Sequence, residues 1–268
     1  MLRFSANLEF LFVEVPFLDR FAQAREAGFD TVEMHWVAAP GRGGAKAIGA
    51  ALRESGLTLD AFDAEVGDLA KGDRGWAADG SPGGGERFRA SIEEAADNAT
   101  RLGTKKVHVL AGLRNSSESR ETQLARVRDR FAWAAERLAS AGVMPVTELL
   151  NQYDNPGYVI ESIADVEGLV SAVGPDRLRI EFDFYHLQRV EGELLNTYRR
   201  LYDRVGHIQI ADAPGRNEPG TGEIDYRNVL AAVDASGYSG HVGLEYRPST
   251  TSEAALTWIE AYGYQRGG

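Results

Sequence analysis

A strict alternation constrains this chain most: a short apolar run with strand character, then a helical stripe, repeated eight times between Phe4 and Ala261. Phe4 to Leu8, Thr31 to Trp36, Leu57 to Ala64 and Lys105 to Leu110 read as the first four strands. Val143 to Leu150, Leu178 to Tyr185, His207 to Ala211 and Val242 to Tyr246 read as the rest. Between them apolar residues recur every three or four positions, as in Phe17, Phe21, Ala24 and in Leu124, Val127, Phe131, Ala134, Leu138. That is the period of a helix with one buried face. A third stripe, Phe88, Ile92, Ala95, Ala99, Leu102, is followed by Gly103, and Gly28, Gly56 and Gly142 stop three others. Ala45 to Ser55, Ile160 to Val173, Glu193 to Val205, Asp225 to Ala235 and Ala254 to Ala261 also read as helices. Such alternation predicts a parallel sheet with helical crossovers. Eight units predict a closed (β/α)8 TIM barrel, with an open doubly wound sheet as the alternative. The 268 residues suit one barrel, typically about 250 residues. No linker interrupts them, so one domain over 1–268 is expected.

One segment breaks the rhythm. Glu65 to Gly85 is long and irregular and ends in Gly80-Ser81-Pro82-Gly83-Gly84-Gly85. Loops of this length are lids or disordered segments, and a mobile loop is expected. The glycine run lacks the leading strand and the Lys-Ser/Thr of a phosphate-cradling loop.

A formal net charge of −11 gives a nucleic acid or an anionic membrane surface little electrostatic help. The absence of cysteine excludes disulfides and thiolate metal sites. No signal peptide and no apolar run of roughly 18 residues is visible. A cytoplasmic protein with a small-molecule substrate is expected, with homo-oligomer formation left open.

Barrel chemistry sits at the C-terminal ends of the strands. There the run Ile180-Glu181-Phe182-Asp183-Phe184-Tyr185-His186 sets Asp183 among apolar residues. Burying an unpaired carboxylate costs several kcal/mol or forces it neutral, and a cation is one remedy. Three further strand ends each offer an oxygen donor among apolar neighbours: Glu148, Gln209 and Glu245. Three carboxylates and one amide oxygen form a hard ligand set, suited to Mg2+, Mn2+ or Ca2+ rather than Zn2+ or copper. Taken singly, each could be a polar strand end bound to a loop amide or an arginine. His186, leaving the sixth strand at the barrel mouth, is a candidate substrate contact. Arg216, in the loop after strand seven, is either a solvated loop residue or a planar fork for a substrate carboxylate. Asp68 and Arg74 are candidate lid residues, and Glu33 near the end of strand two is open to either reading.

At these residues the sequence resembles the hydroxypyruvate isomerase family of the xylose-isomerase-like barrels. The likeness lies in Met1-Leu2-Arg3-Phe4-Ser5-Ala6-Asn7-Leu8 and in Gly67-Asp68 with Gly72-Asp73-Arg74-Gly75. It is most specific in Asp183-Phe184-Tyr185-His186-Leu187-Gln188-Arg189, Gly206-His207-Ile208-Gln209-Ile210-Ala211-Asp212, Glu218-Pro219-Gly220-Thr221-Gly222-Glu223 and Gly243-Leu244-Glu245-Tyr246. The resemblance implies Glu148, Asp183, Gln209 and Glu245 as ligands of Mg2+ or Mn2+, and Glu148 and Glu245 as the acid/base pair. It implies isomerisation of hydroxypyruvate to tartronate semialdehyde through an enediolate. The alternatives it leaves are a four-carbon 2-oxo-acid sugar isomerase and a ketose 3-epimerase, although epimerases usually carry His where Gln209 stands. Outside that class stand a non-catalytic sugar-binding barrel, and a nucleic-acid repair enzyme that would need more histidine ligands and a basic groove. Three departures line the mouth: Thr147-Glu148-Leu149-Leu150-Asn151 where the family usually reads Glu-Pro-Ile-Asn after an apolar residue, Phe62-Asp63 where it tends to read His-Asn, and Gly80 to Gly85, which resembles an extended version of the third loop.

Overall fold

The structure, a computed structural model, describes residues 1–267. The expected domain ends at Gly268, which lies outside the described residues. The strands are β1 (Arg3–Asn7), β2 (Thr31–Met34), β3 (Thr58–Asp63), β4 (Lys106–His108), β5 (Met144–Thr147), β6 (Arg179–Asp183), β7 (Val205–Ile210) and β8 (His241–Leu244). They pair in chain order, all parallel, and β1 closes on β8. The expected TIM barrel is therefore present.

The helices are α1 (Arg20–Glu26), α2 (Gly44–Ser55), α3 (Gly84–Leu102), α4 (Arg120–Ser140), α5 (Ile163–Val173), α6 (Phe184–Val190), α7 (Leu194–Leu201), α8 (Tyr226–Ala235) and α9 (Trp258–Ala261). No helix among the described residues is long and apolar enough to cross a membrane. The helix stripes cover the outward side chains of the strands. Phe4 of β1 meets the edge of Trp258 of α9 at 5.6 Å, and Phe182 of β6 meets Tyr198 of α7 at 5.5 Å.

Several boundaries differ from the sequence reading, each for a local reason. Strand six was expected to reach Tyr185, but β6 stops at Asp183, whose Oδ1 accepts the backbone N–H groups of Tyr185 (2.6 Å) and His186 (3.2 Å). That cap starts α6 without a loop, so His186 sits in a first helical turn; such caps are worth about 1 kcal/mol. Helix α5 begins at Ile163 rather than Ile160 because Ser162 and Asp165 form a reciprocal capping box. The helix expected over Glu193 to Val205 gives way to a 3-10 turn at Tyr202–Arg204, and Val205 already belongs to β7.

The second half of the irregular segment is tied down rather than free. Arg130 of α4 donates to the carbonyls of Trp76 (2.6 Å) and Asp79 (2.8 Å), Arg126 donates to Ala78 O (2.7 Å), and Ala77 and Ala78 are fully buried. Helix α3 then starts at Gly84, inside the run that reads as loop.

Inside the barrel the side chains are largely polar. Ser5, Asn7, Glu33, His108, Glu181, Asp183, His207 and Gln209 are all buried there, at every second position of their strands. TIM barrel interiors are ordinarily filled by branched apolar residues. This polar column leads up to the site.

Candidate active site

The foundation of the site is Glu33 on β2. Its carboxylate accepts from Ser5 Oγ (3.0 Å), Asn7 Nδ2 (3.0 Å) and Gln209 Nε2 (2.9 Å), and it pairs with His207 Nε2 at 2.8 Å. Space for it exists because position 243 on β8 is glycine; a Cβ there would lie 2.4 Å from the Glu33 oxygens. Since an ionised carboxylate only accepts, Gln209 must turn its NH2 toward Glu33. Its Oε1 is then left buried and without a partner.

Above this layer, further buried atoms lack partners: Glu148 Oε2, Glu181 Oε2, Asp183 Oδ2, His108 Nε2 and His186 Nε2. Buried polar atoms are nearly always bonded, and leaving one unpaired costs about 1–3 kcal/mol, more for a charge. Ligand atoms of Glu148, Asp183 and His186 lie within 4.8 Å of one another, as do those of His108, Glu148 and Glu181. Asp183 pairs with Gln209 in the β6–β7 register, which puts two of the expected oxygen donors side by side. Glu148 and Glu245 stand one residue beyond β5 and β8 rather than within the strands. These orphaned oxygens, three of them on carboxylates, are what a hard divalent cation would satisfy.

The two histidines differ in what they can give. Nδ1 of His186 accepts the backbone N–H of Asn151 at 3.0 Å, so in the neutral ring Nε2 carries the proton. His186 therefore faces the site as a donor, suited to a substrate oxygen and not to a cation. Burial first, and Arg216 next, push its pKa down to about 3, which keeps the ring neutral. His108 is the reverse. Its Nδ1 lies 3.1 Å from Asp63 Oδ1 and its Nε2 lies 3.5 Å from Glu148 Oε1, too far for a good hydrogen bond.

The electrostatics divide the carboxylates. Burial, reinforced by Glu181 and Asp183, raises Glu148 well above the carboxylate range. Burial and Glu245 raise Asp183 to about 8. Burial would also raise Glu245, but Arg216 and His35 hold it down to about 2. The Arg216 side chain is only 13% exposed, so it is not a solvated loop residue. It bonds Glu245 Oε2 through Nη2, and its guanidinium lies over the rings of Phe10 (4.9 Å) and Tyr185 (5.2 Å). With Glu148, Glu245, His186, Arg74 and His35 it lines a cavity of about 190 Å3 at the barrel mouth.

Of the two lid candidates, Arg74 reaches this cavity, held by Asn155 Oδ1 at 2.6 Å. Asp68 instead caps the 3-10 turn at Leu69–Lys71 and pairs with Lys71 at 3.0 Å. The sequence reading overlooked His108, Glu181 and His35 as members of the site; Asp63 it placed at the mouth without a role. The first two could have been found from their places at alternate strand positions facing Glu148 and Asp183. Nothing local in the sequence marks His35.

The chain is similar to known proteins. The family described as xylose isomerase-like TIM barrel matches residues 21–262. The hydroxypyruvate isomerase of Escherichia coli K12 is 39% identical over 98% of this chain and 100% of its own length. The 2-oxo-tetronate isomerase of Cupriavidus necator is 38% identical over 98% of this chain and 99% of its own. The crystal structure of a protein called AP endonuclease, family 2, from Brucella melitensis superposes with a TM-score of 0.91 at 35% identity, covering 98% of this chain and 99% of that one. The chain belongs to the xylose isomerase-like TIM barrels, and within them to the hydroxypyruvate isomerase family. It is an enzyme of the isomerase class.

Proposed function

We propose that the chain isomerises a small hydroxycarbonyl acid, nominally hydroxypyruvate to tartronate semialdehyde, with Mg2+ or Mn2+ held by Glu148, Asp183, Gln209 and Glu245. The observation that carries this reading is the group of unpartnered oxygens on Glu148, Asp183 and Gln209 at the strand ends of a barrel. A four-carbon 2-oxo acid is the next candidate substrate, given the names of the relatives. A bound cation would polarise the substrate carbonyl as a Lewis acid and hold Glu148 ionised against its neighbours.

The roles of the side chains follow from their places. Arg216, a planar fork stacked between two rings, receives the substrate carboxylate. One of Glu148 and Glu245 removes the proton from C3, next to the carbonyl at C2. The C2 oxygen takes up a proton, and the enediolate recovers its proton at C2 as the C3 oxygen becomes the aldehyde. His186, a neutral donor at Nε2, is placed to assist this transfer between oxygens. A cavity of about 190 Å3 suits a substrate of three or four carbons better than a long chain. Nucleic acid is not our reading, despite the name of the Brucella protein, because a net charge of −11 opposes a phosphate backbone.

Hydrogen exchange tests the pair. In D2O the native enzyme is expected to exchange the C3 hydrogen of hydroxypyruvate during turnover, read by NMR. Glu148→Gln and Glu245→Gln each keep the shape and one oxygen ligand but remove the base. Loss of exchange in only one of them names the base of an isomerase. If each variant exchanges only one stereoisomer of a ketose, the enzyme is an epimerase. Unchanged exchange in both would show that neither glutamate is the base.

A further inference from the structure

We infer that the opposite end of the barrel carries a binding site for a small phosphate group, free or as a monoester. It does not depend on the proposed reaction, whose residues lie at the C-terminal ends of the strands. A cavity of about 640 Å3 opens at the N-terminal end, against about 190 Å3 at the upper mouth. Its wall takes in the first residue of six strands, β1 and β4 to β8.

The charge of this cavity is opposite to that of the chain. Four cations, Arg3, Lys105, Lys106 and Arg179, line it against two carboxylates, Asp60 and Asp203. Leaving histidine uncounted, that is an excess of two positive charges in a chain of net charge −11. The pairings on the wall do not remove it. Lys106 bonds Asp60 at 2.7 Å, and His207 and His241 each lie 3.6 Å from the same carboxylate. Burial opposes ionisation of Asp60, but His241, His207 and Lys106 hold it well below the usual carboxylate range. Asp60 is thus engaged already. Arg3 and Arg179 donate to main-chain carbonyls, those of Ser239 and of Asp203 (2.8 Å). Among the described residues neither they nor Lys105 has a carboxylate partner.

A phosphate group fits this surplus. At pH 7 it carries about −1.5 to −2 charges on acceptor oxygens, where a single carboxylate would cancel only half of the excess. Guanidinium forks and ammonium groups are its ordinary partners, and a concave surface of one sign concentrates ions of the other. The rings of Tyr198, Tyr202 and Tyr238 also line the cavity, which leaves room for an organic body beyond the phosphate. Lys106 is tied to the layer around Glu33 as well, because its Nζ lies 3.1 Å from His207 Nδ1. Removing it would disturb that layer, so Arg179 and Lys105 are the residues to vary.

The competing account is a set of solvated surface cations with no ligand of their own. Titration calorimetry of the full chain with inorganic phosphate at low ionic strength separates the two. One saturable phosphate per chain is expected in the native protein. Arg179→Gln should raise its Kd about tenfold, as loss of a charged hydrogen-bond donor does. Arg179→Lys keeps the charge and should stay within about threefold of the native value. Lys105→Gln, at an exposed position, should raise Kd about threefold, and it decides the matter if Arg179→Gln does not fold. Arg216→Lys, in the upper cavity, should leave phosphate affinity unchanged. No saturable binding, or one Kd shared by the native protein and both glutamine variants, overturns the site. A Kd raised in Arg216→Lys alone puts the phosphate in the upper cavity and overturns it too. Glycerol 3-phosphate then separates the two sources of the group. Binding tighter than inorganic phosphate and weakened by Arg179→Gln supports a monoester, and weaker binding with the same sensitivity supports the free ion.

Discussion

The barrel interior holds two polar layers of similar composition and opposite accounting. In the lower layer Glu33 meets four donors, and Asp60 pairs with Lys106 at 2.7 Å and lies 3.6 Å from both His207 and His241. In the upper layer Glu148, Glu181 and Asp183 each keep an oxygen with no partner, beside unpartnered nitrogens of His108 and His186. Buried acids are present in both, so burial alone does not distinguish a site from a scaffold. The distinction is whether the partners are supplied by the protein. The lower layer is complete and fixes directions, above all that of the Gln209 amide. The upper layer has buried acceptors and ring nitrogens that no group of the protein meets.

The largest effect expected from breaking this contrast lies in the lower layer. Glu33→Gln puts an NH2 group among Ser5, Asn7 and Gln209, all of which donate to Glu33. It also removes the carboxylate that His207 meets at 2.8 Å, leaving that ring only Asp60 at 3.6 Å. Truncating one side of a buried charged network costs about 3–5 kcal/mol, so urea or thermal unfolding should show a loss of that order. The exchange Glu33→Gln with Gln209→Glu restores one donor and one acceptor and should recover part of it. A Glu33→Gln protein as stable as the native one would mean that the lower layer is not a scaffold.

Next comes the upper layer. Asp183→Ala removes the carboxylate whose second oxygen is unpartnered, together with the cap of α6. The cap accounts for about 1 kcal/mol of stability, yet removing a like charge from a crowded acidic cluster offsets part of that. Mn2+ affinity of metal-stripped protein should fall by on the order of 100-fold or more, roughly 2.7 kcal/mol or above. The two layers therefore predict opposite profiles: stability lost with Glu33, ion binding lost with Asp183. Equal Mn2+ affinity in native and Asp183→Ala protein would erase the contrast.

The pH dependence of the metal-stripped protein sharpens it. Burial and Glu245 raise Asp183 to about 8, while the surrounding carboxylates, working against burial, raise His35 and His108 to about 9. A group whose folded pKa lies above its unfolded value stabilises fully below the unfolded pKa and loses that contribution as pH rises through the folded one. For Asp183 the window opens near pH 4 and for the histidines near 6.5. His186, lowered to about 3, acts in the opposite sense but only below about 6.5. Between pH 6.5 and 8 all the operative slopes share one sign. The melting temperature of the metal-stripped protein should fall across that window, and saturating Mn2+ should flatten the curve. A flat curve without metal would show that the upper acids are satisfied by some partner of the protein's own.

How much of this was legible beforehand follows from the same contrast. The barrel was legible because helical and strand periods are local, and because eight repeats leave few architectures open. The oxygen donors Glu148, Asp183, Gln209 and Glu245 stood out as polar residues in apolar runs. The lower layer did not: Ser5 and His207 look ordinary and Glu33 stayed ambiguous until closure of the barrel brings residues such as Glu33 and Gln209, 176 positions apart, into contact. Helix α6 was missed because Asp183 ends a strand and caps a helix at one position, leaving no turn to read. The first turn of α3 was missed because it starts on Gly84 and Gly85, poor helix formers. His108 and Glu181 were passed over because each was read singly; their alternate strand positions, on the face of Glu148 and Asp183, were the signal left unused.

The smallest expected effect concerns the rim of the upper layer, where the protein does supply one counter-charge. Arg216 holds Glu245 near pKa 2 while its neighbours Glu148 and Asp183 are raised. The same guanidinium is the fork proposed for the substrate carboxylate. Its Nε is buried and unpartnered, and the plane is held between Phe10 and Tyr185. Arg216→Lys keeps the positive charge near Glu245 but loses the planar fork and its stacking. Losing one directed hydrogen bond to a charged group costs about 1.5–3 kcal/mol, and a lysine regains some of that as a point charge. KM for hydroxypyruvate should rise about tenfold, equivalent to about 1.4 kcal/mol. A neutral hydroxyketone such as dihydroxyacetone has no carboxylate to lose, and its KM should stay within about twofold, a difference of roughly 0.4 kcal/mol. If both substrates weaken alike, Arg216 serves only Glu245 and belongs with the scaffold. In that case the carboxylate falls to Arg74, whose guanidinium lines the same cavity, and Arg74→Lys should then show the selective tenfold rise.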